Sequence, residues 1–327
     1  MDNNVSLVLR ALLAIALGSG GVIAIFYGLN ILVEKALPKG TQRRVLPWIY
    51  IGPSLLLLLL YLVLPTIRTI YLSFFNNDSS QFVGLRNYIF AFTSSDMLIA
   101  FRNNLLWLVL VTGISVGLGL IIAVLVDRVR YEPLAKSLIF LPMAISFVGA
   151  SVIWRFIYAY RPAGSEQIGL LNAIVTFLGF EPVGWLVERS INNFALIAIM
   201  IWLQTGFCMV LLSSAVKGVP KDVIEAARVD GASEFQIFRR IIVPMIMPTV
   251  TVVSTTVVVL VLKVFDIVFV MTGGNLDTDV IASRMVREMF NFRNFGRGSA
   301  IAVILLIAVI PVMVANIRRF RQQELDR

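Results

Sequence analysis

Lys263 and Asp266 are two charges set three residues apart inside the apolar run 246–271. At helical spacing they share one face. Charges at that depth mark either a pair satisfied among neighbouring helices or a proton or ion relay. Gln204 and Phe207, also three apart, could share a face of the run 194–216, and an amide in such a run needs a partner. Between these two runs lies a polar stretch, EAARVDGASEFQIFRRIIVP, residues 225–244. Most other chemistry is excluded. With no histidine and one cysteine, Cys208, the chain can build no Ser-His-Asp triad, Cys-His dyad, HExxH zinc site or internal disulfide. No GxxxxGK[ST] phosphate loop occurs, so any ATP would bind another chain. The residues point to neither an enzyme nor a metal protein.

These side chains must be positioned by a membrane framework. Of 327 residues, 58% are apolar and 14% charged, with a mean hydropathy of +0.88; soluble domains average about 45–50% and about 25%. Seven runs are long enough to span a bilayer as helices: 7–33, 48–74, 105–126, 137–159, 194–216, 246–271 and 299–317. The β-branched stretch 250–262 would suggest a strand in water, but in lipid each backbone group needs a partner within its own segment, so helix is expected there too. The connections 34–47, 127–136 and 217–245 and the tail 318–327 hold sixteen Lys and Arg; the opposite set holds eight. The positive-inside rule then puts the N-terminus outside, and the C-terminus and residues 225–244 in the cytoplasm. Arg68 and Arg155, near outer span ends, read as snorkelling side chains. The first run carries Arg10 and several glycines, and its front, MDNNVS, lacks the basic cluster of a cleavable signal.

Residues 217–245 read as helix, glycine turn, helix. Pro220 suits a first turn. Asp222 and Glu225 lie early, where negative charge favours the helix dipole. Gly231 can close the helix in a left-handed cap. Ser233 with Gln236 fits a capping box, and Phe235, Phe238 and Ile241 would form the apolar face of the second helix. Pro244 would end the pair and open the next span. An amphipathic connection lying in the interface would look the same.

The spacing Glu225-Ala226-Ala227, Gly231, Ile241, Val243-Pro244 resembles the EAA signature of binding-protein-dependent ABC importer permeases, with Val243 where the family often has Leu. FVGLRNY (82–88), LPMAISFVGASVIWRFIY (141–158) and FDIVFVMTGG (265–274) look like the sugar-importer branch. RNNLLW (102–107) and IWLQTGF (201–207) look closest to its α-glucoside permeases. The segment MTGGNLD departs from the family's usual TGGGP. The resemblance covers residues 45 to 320. It implies an all-α polytopic membrane protein of the type I permease fold, with a six-helix core (48–327) after one extra N-terminal transmembrane helix and linker (1–47). It further implies a bacterial inner-membrane location, a second permease, an ATPase dimer that binds ATP and Mg, and an external solute-binding protein. The stretch 217–245 would be the coupling loop, with Glu225, Ala226, Ala227, Asp230 and Gly231 as coupling residues. Counting from the family's motifs, Met143, Phe147, Met200, Leu203, Gln204, Phe207, Leu260 and Val264 would meet a sugar midway across the membrane. Ordinary helix packing explains the aliphatic members of that set equally well. A secondary sugar carrier working without an ATPase, which would use Lys263 and Asp266, and a membrane scaffold are the alternatives.

Overall fold

The computed structural model describes residues 2–127 and 129–325. Arg128 and Arg327, two of the charges counted above, lie outside them. By its contacts the chain divides into two units, Met1–Thr69 and Ile70–Arg327. The division falls inside the second helix rather than at 47/48.

The first unit is a helical hairpin. Helix α1 (Asp2–Ala36) turns at Leu37–Pro38 into α2 (Lys39–Leu72). The expected loop 34–47 is therefore almost wholly helical. Gln42 Nε2 donates to the carbonyls of Glu34 at 2.9 Å and Leu37 at 2.8 Å, which supplies partners to carbonyls that a helix end leaves free. Phe26 stacks on Tyr50 at 5.8 Å.

The second unit carries the rest. Helix α3 (Arg86–Thr93) precedes α4 (Ser95–Val126). Then follow α5 (Glu132–Ala144, its last turn tightened to 3₁₀) and α6 (Phe147–Ile157). A short α7 (Leu170–Phe177) leads to α8 (Asn192–Lys217). After it come α9 (Lys221–Val229), α10 (Glu234–Leu262), α11 (Asp266–Met271), α12 (Ile281–Val286) and α13 (Phe295–Leu325). Among the described residues six helices are long and apolar enough to cross a membrane, seven if the bent α5–α6 pair counts as one span. That fourth expected span is not straight: it bends by 100°. Pro142 opens the tightened turn, Ile145 is extended, and Ser146 Oγ accepts from the Gly149 amide at 3.0 Å, capping a fresh helix.

Prolines explain two further irregularities. Pro65 and Pro244 each follow a π turn, Leu59–Val63 and Phe238–Ile242. A proline ring crowds the carbonyl four residues back, and the wider turn makes room for it. Pro244 thus does not separate two elements; α10 runs through it. In the β-branched part of α10, hydroxyls return to the carbonyls four residues earlier, as Ser254 does to Val250 at 2.7 Å and Thr255 to Thr251 at 2.9 Å. Every polar group there is satisfied within the helix, as lipid demands.

The core lies where α4 crosses α8, with Trp107, Leu196, Met200, Leu203 and Met209 fully buried. Gly119 makes the crossing close, since a β-carbon there would stand 2.6 Å from Cys208 Cβ. At one end of the bundle four asparagines hold the loop that contains MTGGNLD. Asn103 Nδ2 donates to the carbonyls of Asp277 at 2.7 Å and Asp279 at 2.8 Å, Asn192 to Leu276 at 2.8 Å and Asn193 to Asp277 at 3.1 Å. Asn104 accepts from the Ile281 amide at 2.7 Å. Leu276 and Asp277 are held at positive φ, 55° and 62°.

Candidate functional site

Two places gather the side chains singled out in the sequence. The first is α9 and the turn after it. The Gly231 amide donates to the Arg228 carbonyl and the Ala232 amide to the Ala227 carbonyl, both at 3.0 Å, with Gly231 at φ +80°. This is the complete Schellman closure. Ser233 and Gln236 then form the expected capping box. Arg228 grips Glu234 across the turn, Nε to Oε1 at 2.8 Å and Nη2 to Oε2 at 3.4 Å. Three local devices therefore fix one angle between α9 and α10.

The inward face differs from the expected one. Ile237, Ile242 and Ile246 are buried against Val216 and Val219, whereas Phe235 is 68% exposed. The π turn inserts one residue per turn, which brings positions five apart onto one face and moves Phe235 off it. On α9, Ile224 and Ala227 pack inward. Val223, Ala226 and Val229 point away, Val229 being 87% exposed. Of the two alanines only Ala226 lies on the free face. Glu225 is exposed, at the rim of a cavity of about 550 Å³ shared with Lys217, Lys221 and Glu132. Asp230 caps the helix and is exposed, as is Gly231. Lys217 ties the neighbouring segments together, reaching Asp127 at 3.4 Å and also Glu132, which Lys136 contacts as well.

The second place is a cavity of about 390 Å³ at the bend of the broken span. The α5–α6 corner gives it Met143, Ser146, Phe147 and Val148; α8 gives Leu203, Gln204 and Phe207; α10 gives Leu260, and α11 gives Asp266. Six of the eight residues expected to meet a sugar are thus brought together. Met200 and Val264 are not: they are 1% and 6% exposed and belong to the core. Gln204 is 3% exposed and its Oε1 has no hydrogen-bond partner. A buried carbonyl left unpaired costs about 1–3 kcal/mol, so this atom awaits a donor.

Lys263 and Asp266 do not share a helix face. Helix α10 ends at Leu262, Lys263 is its exposed cap, and Asp266 begins α11. No ion pair joins them. The break decouples their spacing from the helical period, and it turns Asp266 into the cavity. Arg155 does more than snorkel: it donates to the Val270 carbonyl at 3.1 Å. Sequence reasoning missed Ser146 and Asp266 as lining residues. The pattern Ser146-Phe-Val-Gly149 after Pro142 was a legible capping signal for the corner; nothing local marks the break at Lys263.

Comparison with known proteins follows the same lines. The family described as "Binding-protein-dependent transport system inner membrane component" matches residues 99–323. The chain is 76% identical over 275 residues, 84% of its length and 99% of the relative's, to the osmoprotective compounds uptake permease protein GgtC of Synechocystis. It is 47% identical over 323 residues, 95% of its length and 96% of the relative's, to the alpha-glucoside transport system permease protein AglF of Rhizobium meliloti. Among solved structures, a chain of a bacterial ABC transporter involved in the import of the acidic polysaccharide alginate superposes with a TM-score of 0.75. That match covers 86% of this chain and 98% of the other at 22% identity, a likeness of fold.

Proposed function

Because this chain belongs to the family of binding-protein-dependent transport system inner membrane components, we propose that it is the permease subunit of an ATP-driven importer of α-glucosides or related glucosylated osmoprotectants. The observation that carries the reading is the rigidly capped α9 turn, which presents Val223, Ala226 and Val229 outward at the end of the spans. A small, apolar, fixed helix face of this kind suits a cleft on a moving partner.

In this reading ATP and Mg bind a separate ATPase dimer, and a second permease and an external binding protein complete the importer. Closure of the ATPases draws the two coupling helices together, and the bundle opens toward the outer side. The excess of Lys and Arg in the connections supports an orientation with the α9 turn and the C-terminus in the cytoplasm and the N-terminus outside the inner membrane. The solute rests in the cavity at the α5–α6 corner, where Gln204 Oε1 accepts from a hydroxyl and Phe147 and Phe207 offer apolar ring surface. Lys263 and Asp266, unpaired and on separate elements, offer no relay for a secondary carrier. The test is uptake by proteoliposomes. Uptake should require ATP and the ATPase, and Glu225→Lys should abolish it while the chain remains in the membrane. Uptake by this chain alone, or normal uptake by the Glu225→Lys variant, would sink the reading.

A further inference from the structure

The cavity at the α5–α6 corner has three polar side chains in its lining and no cation. Ser146 Oγ is already engaged by the Gly149 amide at 3.0 Å. Gln204 Oε1 is buried and unpaired. The Asp266 carboxylate, half-buried, has neither an ion pair nor a hydrogen bond. Two basic side chains belong to its surroundings: Lys263, three residues earlier, and Arg155, which meets α11 at Val270. Lys263 is exposed, and Arg155 is committed to the Val270 carbonyl. Neither lines the cavity.

We propose that Asp266 is the charge filter of this cavity. A carboxylate is an acceptor-only group. A glucoside hydroxyl brings the donor it lacks, and the unpaired Gln204 oxygen takes a second. A glucoside bearing a carboxylate, sulfonate or phosphate brings a like charge into a small space whose lining in this chain holds no Lys or Arg to offset it. The residue therefore selects uncharged glucosides over acidic ones at the membrane step, independently of any selection made earlier by a binding protein. This rests on reading the cavity as the solute site. A purely structural role is the competing explanation, since Asp266 also heads α11, where a negative charge suits the helix dipole.

Equilibrium binding to the assembled importer in nanodiscs, without its binding protein, separates the two. The probes are radiolabelled α-glucosylglycerol and α-glucosylglycerate, which differ by one carboxylate. The unmodified protein should prefer the neutral probe by about tenfold or more. Asp266→Asn, or Asp266→Ser should the first variant not assemble, should shrink that ratio severalfold. Gln204→Leu should weaken both probes and leave the ratio alone. Equal binding of the two probes by the unmodified protein would overturn the filter, as would an unchanged ratio in the Asp266 variants. Failure of the neutral probe to bind at all would overturn the reading of the cavity itself, and the filter with it.

Discussion

Gly206 and Ile139 hold two spans in backbone contact: a β-carbon on Gly206 would stand 2.4 Å from the Ile139 carbonyl oxygen and 2.8 Å from the Phe140 Cα. Gly206 sits on α8 between Gln204 and Phe207, and Ile139 lies just before the corner that carries Met143 and Ser146. One close approach thus sets the width of the cavity. The obstacle is backbone, which cannot rotate away as a side chain can.

Gly206→Val should therefore push α5 off α8. Overpacking of this kind costs about 1–3 kcal/mol, and here the shift falls on the cavity. Thermal unfolding of the purified variant should occur at a lower temperature, and solute affinity should fall by more than the loss of folded protein explains. Unchanged affinity would show that the contact does not shape the site.

Gly231 sits at φ +80° with open space around its missing side chain. Gly231→Ala should then cost about 1–2 kcal/mol from backbone strain alone, without a clash. Gly231→Pro should do more, since it also removes the amide that bonds Arg228 at 3.0 Å. ATP-dependent uptake, normalised to the amount of chain in the membrane, should fall in the order glycine, alanine, proline.

Gln204→Leu should separate stability from binding. The Oε1 atom is buried without a partner, so replacing the amide by an apolar side chain of similar size removes an unpaid desolvation cost. The empty protein should unfold at the same temperature or higher. Solute binding, measured in the same preparation, should weaken.

Asp279 gives a pH dependence. Burial raises its carboxyl above the ordinary value, and this outweighs the Ser283 hydroxyl and the nearby Arg287 and Arg284, which pull it down. The folded protein then holds a proton that the unfolded chain releases. Stability should fall as pH rises from the ordinary carboxylate range through the raised value. Asp279→Asn should flatten that part of the curve of unfolding temperature against pH. An unaltered slope would assign it to another group.

Asn103 should be the most sensitive residue of the 272–280 clamp, because it is fully buried and donates to two carbonyls of the loop. Asn103→Ala leaves the Asp279 carbonyl without that donor, at about 1–3 kcal/mol if water cannot reach it, while the Asp277 carbonyl keeps the Asn193 amide at 3.1 Å. Hydrogen exchange across 273–281 should rise in the variant well above exchange in α8.

Whatever depends on near neighbours can be read from the order of residues. Run length and hydropathy set six straight spans, and the turn after α9 was readable to the residue, because a left-handed glycine and a Ser-x-x-Gln box satisfy backbone groups within one turn. The lipid requirement settled helix over strand for 250–262. Which side chains meet depends instead on packing between distant segments. Met200 and Leu203 look equivalent on the α8 sequence, yet only Leu203 reaches the cavity, while Met200 stays within the core. Lys263 and Asp266 keep a helical spacing that the break between α10 and α11 makes meaningless. The inward face of α10 shifted from Phe235 to Ile237 through a π turn whose cause, Pro244, lies seven residues downstream of Ile237. A periodicity argument holds only while the helix does. Where a helix bends by 100°, widens or stops, the direction of every later side chain is set by what the chain packs against, and that partner is distant in sequence.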